Sequence, residues 1–160
     1  MAQSKATTFR FDASPDALLG VLIDPDFQVA REKVQGSVGA TVRDLRRTDT
    51  EYVYQVKTTD YAKTLTGIDR SKTETALCTY EWDLSRMRCV WNWEGPHGKK
   101  ARTWGNLRIS PAGGGATLEL DFNIDVKVPL VGRKIEQLVL REVEPGWVRY
   151  EAVIREWLAR

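Results

Sequence analysis

From Thr117 to Val126, apolar and polar residues alternate without a break. Leu118, Leu120, Phe122, Ile124 and Val126 fall on one side of an extended chain; Thr117, Glu119, Asp121, Asn123 and Asp125 fall on the other. A period of two belongs to a strand with one dry face and one wet face. Just beyond this strand the period lengthens. Ile135, Leu138, Val139, Val143, Trp147, Tyr150, Ile154 and Trp157 recur at spacings of three and four, the stripe of an amphipathic helix. A sheet face that must stay dry, followed at once by a long helix with one apolar side, predicts a sheet wrapped around that helix. Such an architecture can hold something apolar.

The junction between them runs Val126-Lys127-Val128-Pro129-Leu130-Val131-Gly132-Arg133-Lys134-Ile135-Glu136. Proline in a first turn loses no hydrogen bond, so the helix is expected to begin near Pro129. From Leu130 to Leu158 it would be roughly 43 Å long at about 1.5 Å per residue. Arg133, Glu136, Gln137, Arg141, Arg149, Glu151 and Arg155 are expected mainly on its other sides, with Glu151 and Arg155 as a favourable i, i+4 pair. Pro145-Gly146 interrupts the pattern. A proline there removes a hydrogen bond and crowds the preceding turn, which predicts a kink or short break near Val143. The first half of the helix would then hold the sheet and the second half would bend.

Upstream, Lys5 to Phe11 alternates as a strand, with Thr7, Phe9 and Phe11 on one face. Ser14-Pro15-Asp16 then reads as a helix start, with Ala17, Leu18, Val21 and Leu22 as its apolar stripe. Asp24-Pro25 ends that helix and caps a second short one anchored by Phe27. Strands follow near 38–47, 51–59, 73–82, 87–94, 100–110 and 116–127, separated by short turns such as Thr48-Asp49-Thr50 and Gly113-Gly114-Gly115. Connections this short favour an antiparallel meander. The segment from Tyr61 to Ser71 reads either as a lid or as an extended hairpin.

The chain has 160 residues, 42% of them hydrophobic and 29% charged, with a formal net charge of +2. This is the composition of one globular domain spanning 1–160, large enough to bury a core without metal or disulfide staples. The charge is too mild and the basic pairs Arg46-Arg47 and Lys99-Lys100 too scattered to point to nucleic acid. Met-Ala-Gln-Ser-Lys leads into no apolar run, and no stretch is long enough to span a bilayer, so a cytoplasmic protein without integral membrane association is expected. Cys78 and Cys89 read as buried small hydrophobes in a reducing setting. With one histidine, His97, in the turn Gly95-Pro96-His97-Gly98, neither a metal site nor a general base is expected. No phosphate loop, nucleophile elbow or dinucleotide fingerprint occurs, and no cofactor or catalytic residue is assigned.

The order of elements carries a resemblance. One strand, two short helices, six strands and a long C-terminal helix resembles the START-like superfamily, also called the helix-grip or polyketide cyclase/dehydratase and lipid transport superfamily. Phe9-Arg10-Phe11-Asp12-Ala13-Ser14-Pro15-Asp16-Ala17-Leu18 is similar to its first strand and helix start. Val128 to Glu136 is similar to the strand-to-helix junction of an uncharacterised bacterial branch. The resemblance implies an α+β helix-grip fold: a seven-stranded curved antiparallel sheet wrapped around the last helix, with an apolar cavity between them.

Such a cavity would be lined by Leu118, Leu120, Phe122 and Ile124 of the last strand, by Leu138, Val139, Val143 and Trp147 of the helix, and by Met87, Trp91 and Trp93 beside Cys89. Tyr52 and Tyr54 share a face with Val56, and their hydroxyls would either orient a ligand or reach solvent at the rim. Inward Leu107 and Ile109 place Trp104 and Arg102 outward, unless a bulge at Gly105 turns them in as a clamp for an anionic head group. The mouth is expected between the short helices, the Tyr61–Ser71 segment and the bend of the last helix. The reading is a binding or carrier protein for a hydrophobic small molecule or lipid. A protein-interaction module with a filled core and a cyclase-like enzyme are the alternatives. The oligomeric state is not legible.

Overall fold

The alternating segment forms strand β7, Gly115–Val126, and the amphipathic one forms helix α3, Gly132–Leu158, in a computed structural model that describes residues 2–96 and 98–160. Before them come β1 (Gln3–Phe11), α1 (Pro15–Leu22), α2 (Pro25–Val34), β2 (Gly39–Arg47), β3 (Glu51–Thr64), β4 (Gly67–Asp83), β5 (Arg88–Glu94) and β6 (Ala101–Ala112). The strands make one seven-stranded sheet in the order β1-β7-β6-β5-β4-β3-β2. Every pairing is antiparallel. This is the α+β helix-grip arrangement, a curved sheet with two short helices after the first strand and one long helix at the end.

The local signals at the short helices act as expected. The Ser14 hydroxyl accepts from the Ala17 N–H at 3.1 Å, and Asp24 Oδ1 accepts from the Asp26 N–H at 2.8 Å. Pro15 and Pro25 each occupy the first helical position, where no donor is lost. Phe27 is fully buried. The Tyr61–Ser71 segment is an extended hairpin. β3 and β4 pair to their ends, Thr64 against Gly67, and Arg70, Ser71 and Lys72 bulge out between paired Asp69 and Thr73.

The helix departs from the sequence reading in three ways. It begins at Gly132, not near Pro129, because Leu130 takes a left-handed φ of 70° and ends the approach loop. It also runs unbroken through Pro145 to Leu158. The amide of Gln35, the last-turn cap of α2, braces that position: Nε2 donates to Gly146 O at 2.8 Å, and Oε1 accepts from Arg149 Nε at 3.0 Å. Finally, the buried face is not the plain apolar stripe. It comprises Gly132, Glu136, Val143, Tyr150, Val153 and Ile154, so Glu136 points in and Val153 joins the core.

The halves of α3 also exchange the expected roles. Tyr150, Val153 and Ile154 belong to the main core with Phe9, Phe11, Leu18, Leu22 and Phe27, and Trp157 and Leu158 pack on it. Trp157 meets Phe27 edge-on, with ring centroids 5.6 Å apart. The first half is held instead by a polar lock. Glu136, 2% exposed, accepts the Val126 N–H on Oε2 at 2.8 Å. Gly132 lies so close to the Val126 carbonyl that a Cβ would stand 2.5 Å from its oxygen.

Removing the acceptor from a buried N–H costs about 1–3 kcal/mol. Glu136→Ala is therefore expected to lower stability by that amount in urea unfolding, and Glu136→Gln, which keeps an acceptor oxygen, by less. Gly132→Ala should cost a similar amount, because the backbone at the junction has to shift.

Candidate functional site

The inner face of the sheet is set by alternation and by register. Tyr52, Trp82, Cys89, Leu107 and Leu120 form one cross-strand row; Tyr54, Tyr80, Trp91 and Gly105 form the next. Of the expected lining residues, Tyr52, Tyr54, Leu118, Leu120, Ile124 and Val143 are buried. Met87, Trp91, Trp93, Phe122, Leu138, Val139 and Trp147 are only half-buried. Met87 precedes β5 in a left-handed turn, φ 53°, and packs on the core there.

The half-buried set matters because of where it sits. Trp91 lies on a central strand, directly opposite buried Tyr80 in register, yet its indole keeps accessible surface. Its ring sits over Gly105, where a Cβ would come within 2.6 Å of it, and beside Phe122 at 5.9 Å between centroids. The Trp93 ring lies over Gly95 in the same manner, 2.2 Å from a hypothetical Cβ. Leu138 and Val139, on the first half of α3, are likewise incompletely buried. Two depressions of about 430 and 570 Å³ lie elsewhere, on the outer face. Asn106, Arg108 and Glu119 line the first; Arg43, Gln55 and Lys57 line the second.

Deeper in, the inner face turns polar. The Tyr54 hydroxyl accepts from Gln28 Nε2 at 3.2 Å and Trp82 Nε1 at 3.3 Å and donates to Leu22 O at 3.4 Å. Its ring stacks on Tyr80 at 5.1 Å. Arg31 Nη1 donates to the Tyr80 hydroxyl and, at 3.4 Å, to Glu32 Oε1, while its guanidinium carbon lies 4.6 Å from the centre of the Tyr150 ring. Gln28 Oε1 and Arg31 Nε are buried with no hydrogen-bond partner. The Tyr52 hydroxyl donates to Asp44 Oδ1 at 2.6 Å rather than to solvent.

The electrostatics follow from burial. Desolvation, then the hydrogen bond to Asp44, pushes the Tyr52 hydroxyl up to about 12. Desolvation pushes Tyr150 up to about 12 and raises Tyr54 and Tyr80 as well. It also raises the thiols, Cys78 to about 12, so neither free cysteine is a thiolate nucleophile. For Arg31, burial opposes the charge but is outweighed by Tyr80 and Glu32, and the guanidinium remains a cation.

Arg102 and Trp104 point outward. The β6–β7 register is the same on both sides of Gly105 and Asn106, Trp104 pairs with Asn92 and Asn123, and the Arg102 guanidinium carbon lies 5.1 Å from the Trp104 ring centre. The cation at the inner face is Arg31, which periodicity had not singled out; its only sequence signal is its place one turn after Phe27 and Gln28 on a helix whose apolar face is short. His97 lies outside the described residues. Among the described residues, no group of three or more His, Cys, Asp or Glu could hold a metal ion, and no helix is long and apolar enough to cross a membrane.

Residues 6–158 match the family described as "Protein of unknown function (DUF2505)". The chain belongs to that family. In structure it is similar to the Zhui aromatase/cyclase from Streptomyces sp. R1128, with TM-score 0.66 and 15% identity over 98% of this chain and 94% of that one. It is similar to a START superfamily protein from Mycobacterium smegmatis, with TM-score 0.61 and 14% identity over 96% and 97%. It is also similar to norcoclaurine synthase from Thalictrum flavum, with TM-score 0.65 and 11% identity over 100% and 88%. No curated protein matches the chain by sequence. At these identities the shared property is the fold, which is START-like.

The raised tyrosines make a pH prediction. A hydroxyl whose folded pKa lies above its unfolded value contributes stability that is present below about pH 10 and lost as pH rises toward about 12. Stability measured by denaturant midpoint should therefore fall over that window, with tyrosinate absorbance from the inner cluster appearing only with unfolding. Tyr54→Phe should shallow the decline.

Proposed function

We propose that this protein binds or carries an apolar small molecule or lipid between the concave sheet face and the first half of α3. The observation that carries the reading is the incomplete burial of Trp91, Trp93 and Phe122 on the inner side of the sheet, together with that of Leu138 and Val139 on the first half of α3. Central-strand aromatic side chains beneath a helix are fully covered when the space between is filled. Here the second half of α3 supplies Tyr150, Val153 and Ile154 to the core cluster and the first half supplies none. Each methylene buried there contributes roughly 0.8 kcal/mol before the costs of ordering. The similarity in fold to a START superfamily protein and to an aromatase/cyclase supports the same reading.

A cyclase-like reading has one observation in its favour, the part-buried Arg31–Tyr80 pair. Tyr80, held neutral by desolvation, could donate a proton to a substrate carbonyl but could not act as a base. Tyr80→Phe would abolish turnover of a cyclised substrate while leaving binding of an unreactive apolar probe intact.

Native mass spectrometry of the protein purified from cells is expected to show apolar mass that is lost on organic extraction. Repeated recovery of ligand-free protein that also fails to bind decanol would overturn carriage. Trp91→Ala should weaken decanol binding about threefold to tenfold, the worth of one aromatic wall.

A further inference from the structure

We propose that the ligand held at this inner face carries a carboxylate head, seated on the free edge of Arg31, with its apolar part along Tyr80, Trp91 and Phe122. The inference rests on the carriage reading above and adds the polar chemistry of the ligand to it.

Arg31 is only partly engaged by the protein. Its Nη1 serves Tyr80 and, at 3.4 Å, Glu32, and Tyr150 covers one face of the guanidinium. Nε is buried without an acceptor, and Nη2 makes no hydrogen bond among the described residues. Nε and Nη2 form the parallel pair of donors that meets both oxygens of one carboxylate. Leaving a buried donor unpaired is unfavourable, and a largely buried cation with one long carboxylate contact is incompletely compensated. The Arg31 side chain as a whole keeps 23% of its surface exposed while Nε itself is buried, so a carboxylate reaches both donors only where the neighbouring side chains give way.

Gln28 supplies the second, independent observation. It lies one turn earlier on α2 and is 2% exposed. Its Nε2 is committed to Leu22 O at 2.6 Å and to Tyr54 Oη, and its Oε1 is buried with no donor. Residues three apart on a helix are neighbours on one face. The site therefore lacks an acceptor at Arg31 and, beside it, a donor at Gln28. A carboxylate meets the first need, and a hydroxyl on a nearby carbon of the same ligand meets the second.

The apolar path is continuous from there. The Tyr80 ring lies 6.0 Å from the guanidinium carbon, Trp91 is its cross-strand neighbour, and Phe122 is in ring contact with Trp91. A chain attached to the carboxylate can follow these rings.

Equilibrium binding of decanoate, decanol and 3-hydroxydecanoate to the full chain, followed by tryptophan fluorescence near pH 8, tests this. Decanoate is expected to bind at least tenfold more tightly than decanol, and 3-hydroxydecanoate more tightly again. Arg31→Gln should erase the preference for the acid and leave decanol affinity within about twofold; Gln28→Leu should erase only the gain from the hydroxyl. Equal binding of decanoate and decanol would overturn the carboxylate head and leave apolar carriage standing. No binding by any of the three would remove both. The comparison among ligands needs only the unaltered chain, so it decides the question even where a variant fails to fold.

Discussion

The structure depends on how α3 leaves the sheet. Val126 ends β7 with one N–H and one carbonyl to be accounted for; Glu136 takes the first, and Gly132 lies against the second. These two residues, one turn apart, fix the rotation of the helix about its axis at its first turns. A rotation of one residue would bring a side chain into the Val126 carbonyl and leave the strand's last amide unpaired in a buried place. With the start pinned, a continuous helix delivers Val143, Tyr150, Val153 and Ile154 inward by its own periodicity.

One concave face carries two environments. Under the distal half of α3, core packing is complete: Leu18, Leu22, Phe27, Leu118 and Ile154 are sealed. On β5 and β7 the inward aromatics Trp91, Trp93 and Phe122 keep exposed surface. Where they meet, α2 contributes Gln28 and Arg31, and the sheet contributes Tyr54 and Tyr80. A buried polar cluster at the floor of an apolar face stabilises a fold only if each member is paired. Tyr54 is fully paired, whereas Gln28 and Arg31 each keep an orphan atom. Orphan polar atoms in an otherwise well-satisfied interior mark places that a water molecule or a polar ligand group can fill.

Much of the architecture is legible in the sequence. The alternation at Thr117–Val126, the caps at Ser14 and Asp24, and the short turns between strands are local signals whose physics is complete within a few residues. They predict the element order and the outward direction of Trp104 by parity alone. What fails are inferences that need a neighbour. Pro145 reads as a break because a proline in an isolated helix removes a bond; in the folded chain Gln35, from another helix, supports the adjacent backbone. Glu136 reads as solvent-facing because carboxylates usually are; the strand end beside it offers a donor that no pattern reveals.

The same division runs through the site. The sequence by itself determined which residues share the inner face, because a strand can point a side chain only up or down. It could not determine which of those residues the core consumes and which it leaves open. That depends on how the helices pack on the sheet, with α3 held at the Val126 junction and in the core around Ile154. Nor could it mark Arg31, a charged residue on a short helix, as an inner-face cation. Only the tertiary structure brings Tyr80 and Tyr150, from a strand and a helix far apart in the chain, to the same guanidinium. A long-range contact of that kind has no periodicity to betray it.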